Sequence, residues 1–122
     1  MGVPNSKRLR KRSDFQQIRH EGQRILTGPF VFQYRVMVKN SIAARRLGVI
    51  ASRRVGNAVK RNRGKRLVRE LFRINEPMLP SNCDLVVIVR SSFDCYSFEK
   101  LKTNYLRACM EISKKVKNNQ SA

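Results

Sequence analysis

Acidic residues are scarce. The 122-residue chain carries 8 Asp plus Glu against 27 Lys plus Arg, a formal net charge of +19. That excess is far beyond the ~2–8 charges that solubility asks of a small domain, so the usual partner is a polyanion. The shortage also leaves no pair of acids in a motif suited to acid–base hydrolysis. Neither G-x-S-x-G nor a P-loop occurs, which argues against an active site of the chain's own. Histidine is nearly missing: His20 has no Cys, Asp or Glu at ligand spacing and reads as a surface residue, so neither a catalytic nor a metal site is expected.

Cysteine is sparse too. Cys83, Cys95 and Cys109 form no C-x-x-C pair and are odd in number, which fits reduced thiols in packing roles. Long hydrophobic runs are absent, the longest being Leu85 to Val89, well short of the ~20 residues that cross a bilayer. The basic start from Lys7 to Arg12 leads into Ser-Asp-Phe-Gln and not into an apolar signal region. The expectation is a cytoplasmic protein without a membrane segment.

What is present suffices for one modest core: 41% of the residues are hydrophobic, too many for a disordered basic tail. A single domain over residues 1–122 is expected, with 1–12 as a basic, mobile arm. Ser13-Asp14-Phe15-Gln16 reads as a capping box opening a short helix that Gly22 ends. A short strand follows at Gln23 to Leu26. From Phe30 to Val38 the residues alternate: Phe30, Phe32, Tyr34, Val36 and Val38 point to the core, while Val31, Gln33, Arg35 and Met37 form a mixed, half-covered face. A third strand is expected over Leu47 to Ser52.

The helix from about Asn57 to Ile74 is the clearest element. Leu67, Val68, Leu71 and Ile74 fall on one stripe with Phe72 at its margin, and the opposite face is almost wholly cationic. Asn75, Pro77 and Pro80 end it. Asp84 to Arg90 reads as a buried strand. Phe98, Leu101, Tyr105, Ala108, Ile112 and Val116 recur at helical spacing after a Ser97 N-cap. The order α-β-β-β-α-β-α predicts an α+β sandwich, a mixed four-stranded sheet backed by helices, with parallel pairing across the central helix.

The charge is concentrated. Residues 45–73 hold eleven basic side chains against Glu70 alone, and residues up to Arg24 hold seven against Asp14 and Glu21. Nine of the eleven are arginine, whose planar fork matches phosphate oxygens and stacks on bases, so shaped nucleic acid is favoured over loose adhesion. A merely solvated face would carry acids at i±4 to relieve the repulsion. Phe15 is open to two readings, a core residue or a stacking platform.

The segment Ser52-Arg53-Arg54-Val55-Gly56-Asn57-Ala58-Val59-Lys60-Arg61-Asn62-Arg63-Gly64-Lys65-Arg66-Leu67-Val68-Arg69-Glu70 resembles the signature of the protein subunit of bacterial ribonuclease P. The likeness extends to D-F-Q in the first helix, the F-V-F and L-G-V-I-A-S strands, and D-L-V-V-I-V-R. The resemblance implies an accessory subunit of a ribonucleoprotein endonuclease that removes the 5′ leader of precursor tRNA, with hydrolysis performed by the RNA subunit and its Mg²⁺. It also implies a left-handed β-α-β crossover, against the usual hand. By the same resemblance, Arg53, Arg54, Asn57, Lys60, Arg61, Asn62, Arg63, Lys65, Arg66 and Arg69 contact the RNA subunit. Asn62 has a second reading, tying nearby backbone through its amide. Phe15, Arg19, Val31, Gln33, Arg35 and Ser52 would form the leader cleft, which shifts Phe15 toward stacking. Many relatives carry an aromatic at the position of Arg19 and a Tyr at that of Gln33, so weaker stacking is expected, with the Arg19 guanidinium substituting. The implied partners are ribonuclease P RNA and the precursor tRNA leader, with no membrane and no obligate protein partner. A basic RNA-binding or ribosome-associated protein without a part in catalysis is the alternative, which composition alone does not separate.

Overall fold

The computed structural model describes residues 3–36 and 45–120. In chain order the elements are α1 (Arg12–Glu21), β1 (Gln23–Leu26), β2 (Phe30–Val36), β3 (Arg46–Ile50), α2 (Ala58–Asn75), β4 (Cys83–Val89) and α3 (Phe98–Gln120). Short 3-10 turns lie at Asn5–Lys7, Arg53–Val55, Glu76–Met78 and Ser91–Cys95. This is the expected α+β order; Met37, Val38 and the loop after them fall outside the described residues. No described helix is long and apolar enough to cross a membrane.

The sheet order is β1-β2-β4-β3. β1 pairs antiparallel with β2 across a tight turn, and β2 pairs antiparallel with β4, whereas β3 lies parallel to β4 because α2 carries the chain back between them. β4 therefore runs through the interior of the sheet, which is why its apolar run needs no polar alternation.

Strand register sorts the side chains into rows, since residues paired across strands share a face. One face carries Ile25, Phe32, Val87 and Val49 in one row and Gln23, Tyr34, Leu85 and Leu47 in the next. Against it pack Val68, Leu71 and Phe72 of α2 and Leu101, Tyr105, Ala108 and Ile112 of α3, forming the main core. The other face carries three rows: Leu26, Val31, Ile88 and Ile50; Arg24, Gln33, Val86 and Gly48; and Arg35, Asp84 and Arg46. Helix α1 lies over it, and Ile18 joins Leu9 and Val86 in a small second cluster flanked by Phe15 and Ile88.

Several expectations are corrected. The Ser13 capping box does not form: α1 starts at Arg12 with Lys11 as N-cap and no side-chain cap bond, and the Asp14 and Phe15 amides donate to the Lys11 carbonyl. The cause lies just upstream, where the Leu9 N–H donates to the Leu47 carbonyl at 2.9 Å and fixes the entry of the chain. Asp14 still sits in the first turn, where a carboxylate suits the helix dipole. Residues 3–10 are docked and not a mobile arm: Val3 and Leu9 are buried, Arg8 bridges to Leu47, and Lys7 Nζ lies 2.6 Å from Glu76 Oε1. Two apolar residues in the basic run supply the burial that holds it.

Helix α2 is rolled relative to the expected stripe. Gly64, Val68, Leu71 and Phe72 are buried, whereas Ile74 is 55% exposed. A Cβ on Gly64 would lie 3.1 Å from Val89 Cγ1 and 3.4 Å from the Phe93 ring, so the missing side chain lets this side of the helix approach β4. Phe98, expected on the α3 stripe, is 50% exposed, but Ser97 does cap, its Oγ accepting from the Lys100 N–H at 3.3 Å. β3 ends at Ile50, two residues before Ser52. Among the three free thiols, Cys83 and Cys109 are packed inside but Cys95 is exposed, contrary to a shared packing role.

Candidate nucleic-acid interface

Two cationic features stand on the fold. The first is the outward side of α2 and the turn before it. Arg53, Arg54, Asn62, Arg63 and Arg66 are exposed, and at 100° per residue Asn62, Arg63 and Arg66 lie opposite the buried Gly64–Val68–Leu71 side. Asn62 makes no side-chain hydrogen bond among the described residues, which removes the backbone-tying reading. Arg73 is neutralised by an ion pair with Glu70. The helix is 18 residues long, ~27 Å, enough to follow several phosphates.

Not every polar residue of the signature is free for a partner. Asn57 is the N-cap of α2, its Oδ1 accepting from the Lys60 N–H at 2.9 Å. Lys60 Nζ donates to the Ser91 carbonyl at 3.1 Å, lies 3.1 Å from Asp94 Oδ2, and stands 5.8 Å from the centre of the Phe93 ring. Both therefore fasten the start of α2 to the turn after β4. Arg61 and Lys65 are half-buried at the margin of the helix, and the Arg61 Nε is shut from solvent without an acceptor among the described residues. Arg69 meets Arg8 and Arg10 of the docked N-terminal segment around a hollow of about 190 Å³ floored by Leu9, Leu47 and Gly48. Burial first, then the like charge of Arg8, pulls the Arg69 guanidinium below its ordinary pKa.

The second feature is a cleft of about 430 Å³ between α1 and the sheet. Phe15, Gln16, Arg12 and Arg19 line it from the helix, and Arg24, Gln33, Ile50 and Ile88 from β1, β2, β3 and β4. No acid lines it. The result is an apolar floor with one aromatic wall and three guanidinium groups, the combination that holds unpaired bases and their phosphates. Of the residues expected here, Phe15, Arg19 and Gln33 are brought together. Val31 shares the Ile88 row but is buried at 6% exposure, Ser52 stands exposed beyond the end of β3, and Arg35 sits in the third row. Covering of the mixed face is thus uneven, complete over Val31 and Gln33 and open at Ile50 and Leu26. Arg12, Gln16, Arg24, Ile50 and Ile88 were not anticipated; the last three come from separate strands, and only the register unites them. Phe15 serves both readings, with one edge against Leu9 and Gly48 and the other in the cleft.

Beyond the cleft, Asp84 is almost wholly buried, yet its carboxylate is fully engaged. Arg46 grips it twice, Nε to Oδ1 and a terminal nitrogen to Oδ2, both at 2.8 Å, and Arg35 Nε donates to Oδ2 at 3.2 Å. The hydrogen bond to Asp84 is the main reason the Arg46 guanidinium is pushed above its ordinary pKa. Among the described residues no three of His, Cys, Asp and Glu converge as metal ligands.

A basic helix face long enough to span several phosphates, together with a guanidinium-lined aromatic cleft suited to unpaired bases, marks a nucleic-acid-binding protein of the α+β class. The family model described as Ribonuclease P matches residues 3–113. The ribonuclease P protein component of Syntrophus aciditrophicus is 40% identical over 90 residues, 74% of this chain and 73% of that protein. The RNase P protein structure from Thermotoga maritima superposes with a TM-score of 0.75 at 37% identity, covering 86% of this chain and 96% of that one. That of Staphylococcus aureus gives 0.74 at 30% identity, with 88% and 95% covered. The chain belongs to the ribonuclease P protein family. It is thereby a protein component of the ribonucleoprotein endoribonuclease that matures the 5′ ends of tRNA, and its partner is the ribonuclease P RNA.

Proposed function

We propose that the chain divides its work between two RNA strands, anchoring to the catalytic RNA through α2 and holding the precursor tRNA 5′ leader in the cleft under α1. The observation that carries this reading is the acid-free cleft in which Phe15 stands beside Arg12, Arg19 and Arg24. A single-stranded leader presents exposed base faces and a phosphate chain, and the cleft offers a surface for each. On the other side, Arg53, Arg54, Arg63 and Arg66 are exposed and suited to a folded RNA backbone, with Lys65 half-buried at the helix margin and Arg69 at the flank toward the N-terminal segment. Mg²⁺ would be held by the RNA subunit, where it would supply an activated water and offset developing negative charge. The protein residues bind and orient; none acts as acid or base. The reading places the complex in the cytoplasm, where thiols stay reduced.

Phe15→Ala tests the division. The reconstituted holoenzyme should lose preference for precursor over mature tRNA by about fivefold to a hundredfold, the worth of one base stack, with affinity for the RNA subunit unchanged. Equal losses in both affinities would make Phe15 a core residue only and would overturn the cleft assignment.

A further inference from the structure

Helix α1 is gripped on one flank and does its work on the other. Across three neighbouring strands Arg35, Asp84 and Arg46 lie side by side in one row. Asp84 holds both arginines, as described above, and each arginine then reaches up to α1. Arg35 donates to Gln17 Oε1 at 3.2 Å and stands 3.6 Å from Glu21 Oε2, while Arg46 stands 4.0 Å from Asp14 Oδ2. At 100° per residue Asp14, Gln17 and Glu21 cluster on one side of the helix, and Arg12, Phe15, Gln16 and Arg19 cluster about 180° away. Ile18, buried against Leu9 and Val86, lies between the two groups and forms the line of contact with the sheet. Ile18 is the one fully buried residue of α1, with Phe15 packed beside it, so apolar contact alone fixes the roll of the helix loosely. On the flank away from Phe15 the row of charges adds a restraint.

We propose that Asp84 is a positioning residue, which through Arg35 and Arg46 sets the roll of α1 and so the placement of Phe15 and Arg19 over the leader. The proposal rests on the leader-cleft reading and adds to it a control element on the opposite flank. The electrostatics favour this arrangement. In a chain of net charge +19 an unpaired Arg35 and Arg46 would repel each other, and a single buried carboxylate both neutralises and aligns them. Of their remaining donors, an Arg35 terminal nitrogen donates to Gln17 of α1, and both arginines lie within ion-pair distance of acids on that helix. The hydrogen bond is directional, as apolar packing is not, so it specifies an angle and not merely an approach.

The test uses the reconstituted holoenzyme with Cys95→Ser, His20→Cys and Lys100→Cys, carrying spin labels at the two introduced thiols on α1 and α3. Asp84→Asn is one variant. Gln17→Ala with Glu21→Ala is the second; it leaves the buried trio intact and so keeps the experiment informative if the first does not fold. Both variants should broaden or shift the label-to-label distance distribution and reduce precursor-over-mature preference by about fivefold or more. Affinity for the RNA subunit should stay unchanged, which a merely destabilised fold would not allow. In a Phe15→Ala background the same substitutions should cost little further preference, because they act through that ring. Unchanged distances, or an unchanged preference while Phe15→Ala alone lowers it, would overturn the proposal and leave the leader cleft standing. A preference indifferent to Phe15→Ala as well would bring down both.

Discussion

Replacing Gly48 by alanine should push Phe15 out of its place and weaken leader binding from beneath. Gly48 lies in β3 directly under the ring, and a Cβ there would come 2.6 Å from Phe15 Cε1, 2.7 Å from Cζ and 3.3 Å from Leu9 Cβ. Carbon atoms sit comfortably at ~3.5–4.0 Å, so the ring must retreat by about 1 Å. β3 is held along its length by β4 and gives way less readily than a side chain. Crowding of this kind costs a fold about 1–3 kcal/mol. In the cleft it tilts or lifts the stacking surface, and a lost base stack of about 1–3 kcal/mol lowers precursor-over-mature preference by about fivefold to a hundredfold. The assay pairs equilibrium binding of precursor and mature tRNA to reconstituted holoenzyme with a urea melt of the free protein. A protein that is destabilised yet retains full precursor preference would refute the reasoning, because the ring would then have moved without consequence for the leader.

Other consequences follow from the same geometry. Arg63→Ala with Arg66→Ala removes two exposed cations with little effect on the fold, and should flatten the dependence of log K on log salt for the RNA subunit by about 0.7–0.9 per phosphate contact; titrations at several salt concentrations read it, and an unchanged slope would mean neither touches phosphate. Tyr34 buries its hydroxyl with no hydrogen-bond partner among the described residues, so Tyr34→Phe should stabilise the free protein by about 1 kcal/mol in denaturant melts. Burial pushes the Cys83 and Cys109 thiols up to about 12, while Cys95 is exposed. A thiol reagent near neutral pH should therefore modify Cys95 at once and the other two only on unfolding. Because the folded thiols stay protonated after the unfolded ones have ionised, stability should fall as pH rises from about 9 toward 12, by up to about 1.4 kcal/mol per pH unit for each thiol. Urea midpoints across that range, compared with Cys109→Ala, measure it.

The parts of this molecule that were legible in the sequence are those whose cause is local. Helix α2 announced itself because apolar period and cationic face agreed over many residues, and β4 because an unbroken β-branched run admits few other structures. Where a distant partner decides, local pattern misled. The apolar residues of α2 define a stripe centred near Leu71 with Leu67 and Ile74 toward one edge, but Gly64 draws the helix toward Val89 and Phe93, and Ile74 rotates into solvent. Ser13 has the chemistry of a cap, yet beside the Leu9–Leu47 hydrogen bond the helix starts two residues too early for it. The cleft was half visible: Phe15 and Arg19 share a helix face, whereas Ile50, Ile88 and Arg24 meet only through a strand order, β1-β2-β4-β3, that no spacing encodes. The same order makes neighbours of Arg35, Asp84 and Arg46, so Arg35, expected at the leader, is instead spoken for by a buried acid. Asn57 and Lys60 carry a comparable lesson, since a signature of basic and amide residues mixes those that face RNA with those that fasten the helix bearing them.

The most direct measurement of the central claim is the rate of leader removal from precursor tRNA by ribonuclease P RNA at low Mg²⁺, with and without the purified protein. If the chain neutralises the RNA subunit through α2 and holds the leader beneath α1, adding it should accelerate cleavage for precursor bearing a leader of several nucleotides, with little gain when the leader is cut to one. Equal rates with and without protein, or a stimulation blind to leader length, would contradict the account.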